Sequence, residues 1–600
     1  MAQELLLDNI LGTDGHSHKD MAGTVVDPDQ FQIGLEECGC RVEIDPSKEG
    51  GFIWTNGNGT GPHPVAYIKS PYWRAEINDS TLRMSDVRPV FIQPKESAAL
   101  EGIQTGAELE MFVWNPTTSE SAPVMASGSP IPHWLEEHNN GNRFAEVDSI
   151  FPELNGEAKK IGFSDEFINS CIELNFHHSS DTAETAKSMA RALKTLAQGV
   201  EQQGWLLIPT ASFPHRPLSP EDTNQNPYVQ RIAKGYMGWE NVRHFIGSSW
   251  QVHVEMIDLE SSLKAINLYQ QVSPLLYGLS LAGPFAHGQT DPNLKEMYLA
   301  DETSQDRLQD TETYEALNSS SWLSIRLPAR WRGSPSGGVF TEPAPENPRE
   351  FFVKAESGLR NNEADSPENI PSPARTMGHH RDRIRVDIKD HGTLEISNQD
   401  TFGGHVTKLA ANQEFTRVLI WKLQVFARED RLDELSQAYP ELFNYPVTPE
   451  SLRQNHMANI EVAKHGMDSQ INGADGAVYS ARELFYQLMK FVNEPLSISD
   501  EGIYYRGLPQ GINRELYNSS LNPEDVFSSY TDQQGITSAR GFYESSVGTL
   551  SHWMKRRAEE LMAKGLFSEE AIKDAMRDLG ESYHQHLKEI DGQVIANLFS

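Results

Sequence analysis

Hydrophobic and polar positions alternate with period two in a few places along the chain. Glu108-Leu-Glu-Met-Phe-Val-Trp114 alternates in its first half and stops at the turn signal Asn115-Pro116, which predicts a strand. Trp250-Gln-Val-His-Val-Glu-Met256 and the short Trp205-Leu-Leu-Ile208 also read as strands. Arg383-Ile-Arg-Val-Asp-Ile388 and Thr393-Leu-Glu-Ile396 read as a pair turning at Asp390-His-Gly392. Other stretches carry the helical period. Asp181-Thr-Ala-Glu184 looks like an N-cap with a capping-box glutamate, and Ala186, Met189, Ala190, Leu193, Ala197 and Val200 follow at helical spacing. Leu263 to Leu276 is helical, helix patterns dominate from about residue 405, and Ser568-Glu-Glu-Ala571 opens a late helix. Residues 1–100 are rich in Gly, Asp and Pro, with short strand-like pieces at Arg41-Val-Glu-Ile and Pro64-Val-Ala-Tyr-Ile. Residues 341–375 form a polar Pro-, Glu- and Asn-rich stretch, read as a long loop or lid. The expectation is an α+β chain in three parts: a β-rich region 1–100 of unknown role, an α+β core 101–420 and a helical region 421–600.

Composition narrows the function classes. At 600 residues the chain exceeds one ordinary core. Asp and Glu outnumber Lys and Arg by 85 to 51, for a formal charge of −34. Such a surface repels phosphate backbones and anionic lipid, so neither nucleic acid nor membrane is an expected partner. High solubility explains the charge, and a salty setting would favour it. Cys38, Cys40 and Cys171 cannot make a disulfide framework, and Cys38-Gly-Cys40 has no second pair to complete a zinc site. The N-terminus lacks a basic start and a long apolar stretch. The most apolar run, Val272 to Ala286, is about 15 residues long and too short for a bilayer. A soluble cytoplasmic protein is expected, and homo-oligomerisation is left open.

Carboxylates and arginines carry the candidate chemistry. Every second side chain of a strand shares a face, so Glu108 pairs with Glu110, and His253 with Glu255. Adjacent carboxylates repel unless water solvates them or cations neutralise them. An exposed strand face is the plain alternative. Glu173 in Cys171-Ile-Glu-Leu-Asn-Phe176 and Glu395 in Leu394-Glu-Ile396 lie opposite their apolar neighbours, continuing the pattern. Hard oxygen donors with one histidine suit Mg2+ or Mn2+. Arg326, Arg330 and Arg332 precede the loop Gly333-Ser-Pro-Ser-Gly-Gly338, and Arg383 shares a strand face with Arg385. Guanidinium forks match phosphate and carboxylate. The chain has no Walker A sequence, no Rossmann fingerprint and no Gly-x-Ser-x-Gly elbow.

Several segments, in order, resemble the glutamate–cysteine ligase and carboxylate–amine ligase family. Thr105-Gly-Ala-Glu-Leu-Glu110 resembles its opening Gly-x-Glu-x-Glu strand, and Cys171-Ile-Glu-Leu174 its next metal-binding strand. Ile208-Pro-Thr-Ala-Ser-Phe-Pro-His215 is similar to its Gly-Thr-His-Pro-Phe segment. Tyr228, Arg231, Tyr236 and Arg243 precede Gln251-Val-His-Val254, which resembles its Val-His-Val strand. Pro274-Leu-Leu-Tyr-Gly-Leu-Ser280 and Gly283-Pro-Phe-Ala-His-Gly288 resemble a helix end. Arg385-Val-Asp387, Gly392-Thr-Leu-Glu395 and Asp400 resemble its arginine and Gly-Thr-x-Glu strands, and Ala463-Lys-His-Gly-Met467 a C-terminal helical segment. The resemblance covers about residues 100–490.

It implies a curved antiparallel sheet forming a funnel, helices outside, and ATP with Mg2+ or Mn2+ on the concave face. Glu108, His253 and Glu395 would hold one metal, and Glu110 and Glu173 another. Arg326, Arg330, Arg383 and Arg385 would contact phosphate or carboxylate, with Arg326, Arg330 and Arg385 catalytic. The implied reaction joins an amino-acid carboxylate, such as the γ-carboxylate of glutamate, to an amine through an acyl phosphate. Ser397 stands where the family often has arginine, and Glu255 where small residues are common, so the acid and the amine stay open.

Two alternatives come from other classes. Asp14-Gly-His16-Ser-His18 resembles the Asp-x-His-x-His strand end of metal-dependent amidohydrolases and phosphoesterases, although the α+β order does not suggest their barrel. A ligase-fold binding protein without activity is the other. His177-His178 and His379-His380 are further candidate ligands, but each pair lies beside polar loop residues and needs no metal.

Overall fold

A computed structural model describes residues 3–6, 40–44, 52–56, 74–77, 98–126, 128–132, 162–165, 168–211, 222–224, 248–283, 343, 346, 384–387, 393–498 and 503–600. The expected strand at 64–68, Asp14, His16 and His18, Tyr228 to Arg243, Arg326 to Arg332, His379, His380, Arg383 and most of the 341–375 stretch lie outside these residues. Within 1–100, β1 (Gln3–Leu6) pairs with β4 (Arg74–Ile77), and β2 (Cys40–Ile44) with β3 (Phe52–Asn56).

The centre is an open antiparallel sheet around β5 (Thr105–Asn115). Its main path runs β11 (Ile384–Asp387), β12 (Thr393–Gln399), β10 (Trp250–Glu255), β5, β8 (Cys171–Ser179), β7 (Gly162–Asp165). β6 (Glu120–Ser121) and β9 (Leu206–Ile208) pair with the far end of β5. The expected pair over 383–396 is present as β11 and β12. Alternation sorts the side chains. Ala107, Leu109 and Met111 of β5 share a face with Val252 and Val254 of β10 and Leu394 and Ile396 of β12, and all are buried. Phe112 and Trp114 are buried as well, so the second half of β5 is apolar on both faces.

Helices cover the apolar face. α1 (Thr182–Gln202) starts at the predicted cap, where the Asp181 carboxylate accepts from Ala183 N at 3.0 Å and Glu184 N at 3.2 Å. The capping box does not form. Glu184 turns outward and takes Lys187 Nζ at 2.6 Å. α2 (Leu259–Ser280) extends past both predicted ends and runs through Pro274. Pro274 has no N–H to offer the Gln270 carbonyl, and the Ser273 hydroxyl donates to that oxygen at 3.0 Å instead.

α3 (Val406–Arg428) is buried on nearly every side and packs against α1, α2 and β10. Its polar residues act as staples. Asn412 Oδ1 accepts from Trp250 Nε1 at 3.0 Å, and Gln424 Oε1 from Ile257 N at 2.7 Å. Arg417 binds Glu414 through two nitrogens, each at 2.8 Å, and donates to the carbonyls of Leu100 and Ile103. The helix therefore holds the segment that leads into β5.

The C-terminal region is helical, as expected: α4 (Leu432–Ala438), α5 (Pro449–His465), α6 (Ala481–Asn493), α7 (Gln510–Ser520), α8 (Glu524–Phe527), α9 (Arg540–Ser545), α10 (Leu550–Ala563), α11 (Ser568–Glu589) and α12 (Gly592–Leu598). Two short hairpins, β13–β14 (Gln470–Asn472, Val478–Ser480) and β15–β16 (Leu496–Ile498, Ile503–Tyr505), interrupt it. α11 returns to the sheet. Gly580 packs on Leu206, His584 Nε2 accepts from Leu207 N at 3.0 Å, and Tyr583 Oη lies 3.6 Å from Met111 Sδ. One apolar core extends from Ala98 to Leu598. No helix among the described residues is long and apolar enough to cross a membrane.

Candidate active site

The second face of the sheet is built by register. Glu108 stands opposite Gln251 of β10 and Asn175 of β8, and Glu110 opposite Glu173. His253 is flanked by Gly106 of β5 and Glu395 of β12, and Glu395 in turn by Arg385 of β11. Directly opposed residues share a face. Glu108, Glu110, Glu173, His253 and Glu395 therefore stand on one side of the sheet, across four strands, with the backbone of Arg385 in the same row. Glu110, His253 and Glu395 are buried, while Glu108 and Glu173 are half-buried.

Polar neighbours orient these groups. Glu110 accepts from Ser249 Oγ and Gln251 Nε2, both at 3.0 Å. Asn175 Nδ2 donates to Glu173 Oε1 at 3.0 Å. His253 Nε2 lies 3.3 Å from Glu108 Oε1, and its Nδ1 lies 3.4 Å from Thr393 Oγ1. Thr105 Oγ1 donates to the His253 carbonyl at 2.8 Å, pinning β10 to β5. Glu255 accepts from Gln104 N at 3.0 Å, so it ties down the start of β5. Ser397, two residues beyond Glu395, is buried at a register slip between β10 and β12.

One residue of this face departs from the expectation of a loop-side position. His178 belongs to β8, not to a loop, and is buried. The β5–β8 register slips by one residue between Ala107↔Phe176 and Thr105↔Ser179, so His177 and His178 together oppose Gly106. Such a bulge re-aims side chains. The His178 ring lies against His253, with ring centroids 5.6 Å apart. Strict alternation from Glu173 would assign His178 to the apolar face. Strand alternation does not single out Ser249 or Gln251, and their hydrogen bonds show both beside Glu110.

Carboxylates are hard oxygen donors of the kind Mg2+ or Mn2+ accepts, and an imidazole is a borderline donor that can stand beside them. Metal–oxygen bonds of about 2.1 Å put neighbouring donors of an octahedron roughly 3.0 Å apart. The 3.3 Å Glu108–His253 contact is close to that edge. No group of three or more His, Cys, Asp or Glu among the described residues already has the geometry to hold an ion.

Residues 104–349 match the model of glutamate–cysteine ligase family 2 (GCS2). The matched segment contains Glu108, Glu110, Glu173 and His253, while Arg385 and Glu395 lie beyond it. No curated protein matches the chain. Among solved structures, a glutamate–cysteine ligase from Francisella tularensis, in complex with AMP, aligns at 10% identity and a TM-score of 0.39. The alignment covers 83% of this chain and 91% of that one. A bifunctional glutathione synthetase from Pasteurella multocida aligns at 10% identity and a TM-score of 0.41, over 81% of this chain. The alignment spans 52% of that protein's length.

Proposed function

We propose that the chain is an ATP-dependent carboxylate–amine ligase whose cation–nucleotide site is the carboxylate face of the central sheet. One observation carries the reading. Register places Glu108, Glu110, Glu173, His253 and Glu395 on a single face, and four of the five fall inside the GCS2 segment. Clustered, partly buried charge is costly, and a cation offsets that cost. Glu108, His253 and Glu395 would hold one Mg2+ or Mn2+, and Glu110 and Glu173 a second. Bound there, the cations would neutralise the charge of the transferring phosphoryl group.

The chain's own residues then have defined tasks. A carboxylate oxygen of the acid substrate attacks the γ-phosphorus of ATP, and the bond to the ADP oxygen breaks. Arg326, Arg330, Arg383 and Arg385 would hold phosphate and carboxylate oxygens, and Arg385 is the register partner of Glu395. Removing one such charge-stabilising donor typically costs about 10²–10³ in rate. The amine nitrogen next attacks the acyl carbon. Phosphate leaves with the former carboxylate oxygen, and the nitrogen loses a proton to give the amide. We place this chemistry in residues 101–420.

The test is release of ADP and phosphate by purified protein given ATP, Mg2+ and pools of amino acids with amines. The reading expects release that depends on both acid and amine and falls at least about 100-fold in Glu108→Gln. ATP-independent cleavage of an amide or phosphoester would favour a hydrolase. Tight Mg2+–ATP binding without turnover would favour a binding protein.

A further inference from the structure

Gly106 and His178 fit together in a way that the reading above does not require. Gly106 is the register partner of His253, and its missing side chain would project onto the carboxylate face. A Cβ built there would overlap Cδ2 and Nε2 of His178 and lie 2.9 Å from Cγ. The imidazole thus occupies the space that any other residue at position 106 would fill. The bulge in β8 delivers His178 to that notch, beside the His253 ring.

Two buried imidazoles on a row of carboxylates change the chemistry of the face. Metal–nitrogen bonds of about 2.1 Å place the ring centroids of two imidazoles on one ion roughly 4.5 Å apart when cis and 6.4 Å when trans. The observed 5.6 Å is about 1.1 Å wider than the cis spacing, so the two rings must close by that much to share one ion. Mg2+ prefers oxygen donors and holds its waters, whereas imidazole binds first-row transition ions more strongly.

We propose that His178 ligates the same divalent cation as His253, with Gly106 as the notch that seats it, so that the site prefers Mn2+ to Mg2+. This rests on reading the carboxylate face as a cation site. The donors close on the ion by small side-chain rotations, with the strands as a fixed frame.

The experiment uses metal-stripped full-length protein without nucleotide. Mn2+ binding is followed by the loss of the free-ion electron paramagnetic resonance signal, and Mg2+ is measured by competition. Wild type should bind Mn2+ at least about tenfold tighter than Mg2+, with electron-spin-echo modulation from two imidazole nitrogens. His178→Phe keeps a ring of similar volume. It should leave one nitrogen, weaken Mn2+ about tenfold or more and change Mg2+ less than about threefold. If His178→Phe does not fold, His178→Gln serves the same measurement.

The notch has its own readout. Gly106→Ala should lower the Tm by several degrees (on the order of 1–3 kcal/mol of overpacking), and adding His178→Ala should restore most of the loss. A single nitrogen on Mn2+ in wild type, or equal affinity for the two ions, overturns the inference and leaves the carboxylate face standing. Wild type that binds neither ion overturns both.

Discussion

Arg417 fastens α3 to the segment that leads into β5, and its removal has a calculable effect. The guanidinium and the Glu414 carboxylate are each under 10% exposed and bind through two nitrogens. Arg417 also donates to Leu100 O at 2.9 Å and Ile103 O at 3.3 Å, and Glu414 accepts from Thr182 Oγ1 at 2.9 Å. Arg417→Met fills most of the volume but leaves Glu414 buried without its countercharge. Breaking one side of a buried pair costs about 3–5 kcal/mol. Leu100 O and Ile103 O each lose the Arg417 donor, while Leu100 O keeps the one from Ile103 N at 3.0 Å, so these bonds add modestly to the loss. Urea unfolding followed by tryptophan fluorescence measures it. Glu414→Gln combined with Arg417→Met removes the stranded charge and should recover at least about half of the loss. A cost below about 1 kcal/mol for Arg417→Met, or a double variant no better than the single, would refute the argument.

Two further predictions come from other parts of the fold. Burial pulls the imidazoles of His552, His584 and His586 down to about 4, with Lys194 adding to the effect at His586. Their unfolded values lie near 6.5, so the stabilising neutral state is fully favoured above that pH and is lost as pH falls toward 4. Each should cost about 2 kcal/mol between pH 7 and pH 5. The thermal midpoint should fall over that window, and His584→Gln should reduce its slope because the titrating ring is gone while Leu207 N keeps an acceptor; an unchanged slope would contradict the assignment. At the candidate site, Thr393→Val removes the hydroxyl beside His253 Nδ1. If His253 binds a cation through Nε2, divalent-cation affinity should fall about tenfold with little change in Tm, and an unchanged affinity would argue against that geometry.

The strand faces were legible because alternation follows from the pleat. Glu108, Glu110, Glu173 and Glu395 could each be assigned opposite apolar neighbours, and register then brought them together. His178 was not legible, because a one-residue slip is invisible to a period-two rule and Ser179-Ser180 resembles a loop. The ends of α2 were missed for another reason. The predicted stretch 263–276 already crosses Pro274, and the start of the helix lies at Asp258, whose carboxylate caps it by accepting from Ser261 N at 2.7 Å. Asp400 sits at a family-like position, yet its carboxylate accepts from Ala282 N at 2.9 Å and fastens β12 to the end of α2. The return of α11 to β9 joins residues far apart in sequence, and no local pattern predicts such a contact.

The central claim is that ATP activates a carboxylate on this sheet face, and oxygen transfer tests it most directly. An acid substrate labelled with ¹⁸O in its carboxylate is incubated with ATP, Mg2+ or Mn2+ and amine, and the released phosphate is analysed by mass. The account predicts one labelled oxygen per phosphate, with ADP as the partner product. Unlabelled phosphate, or release of AMP with pyrophosphate, would contradict it.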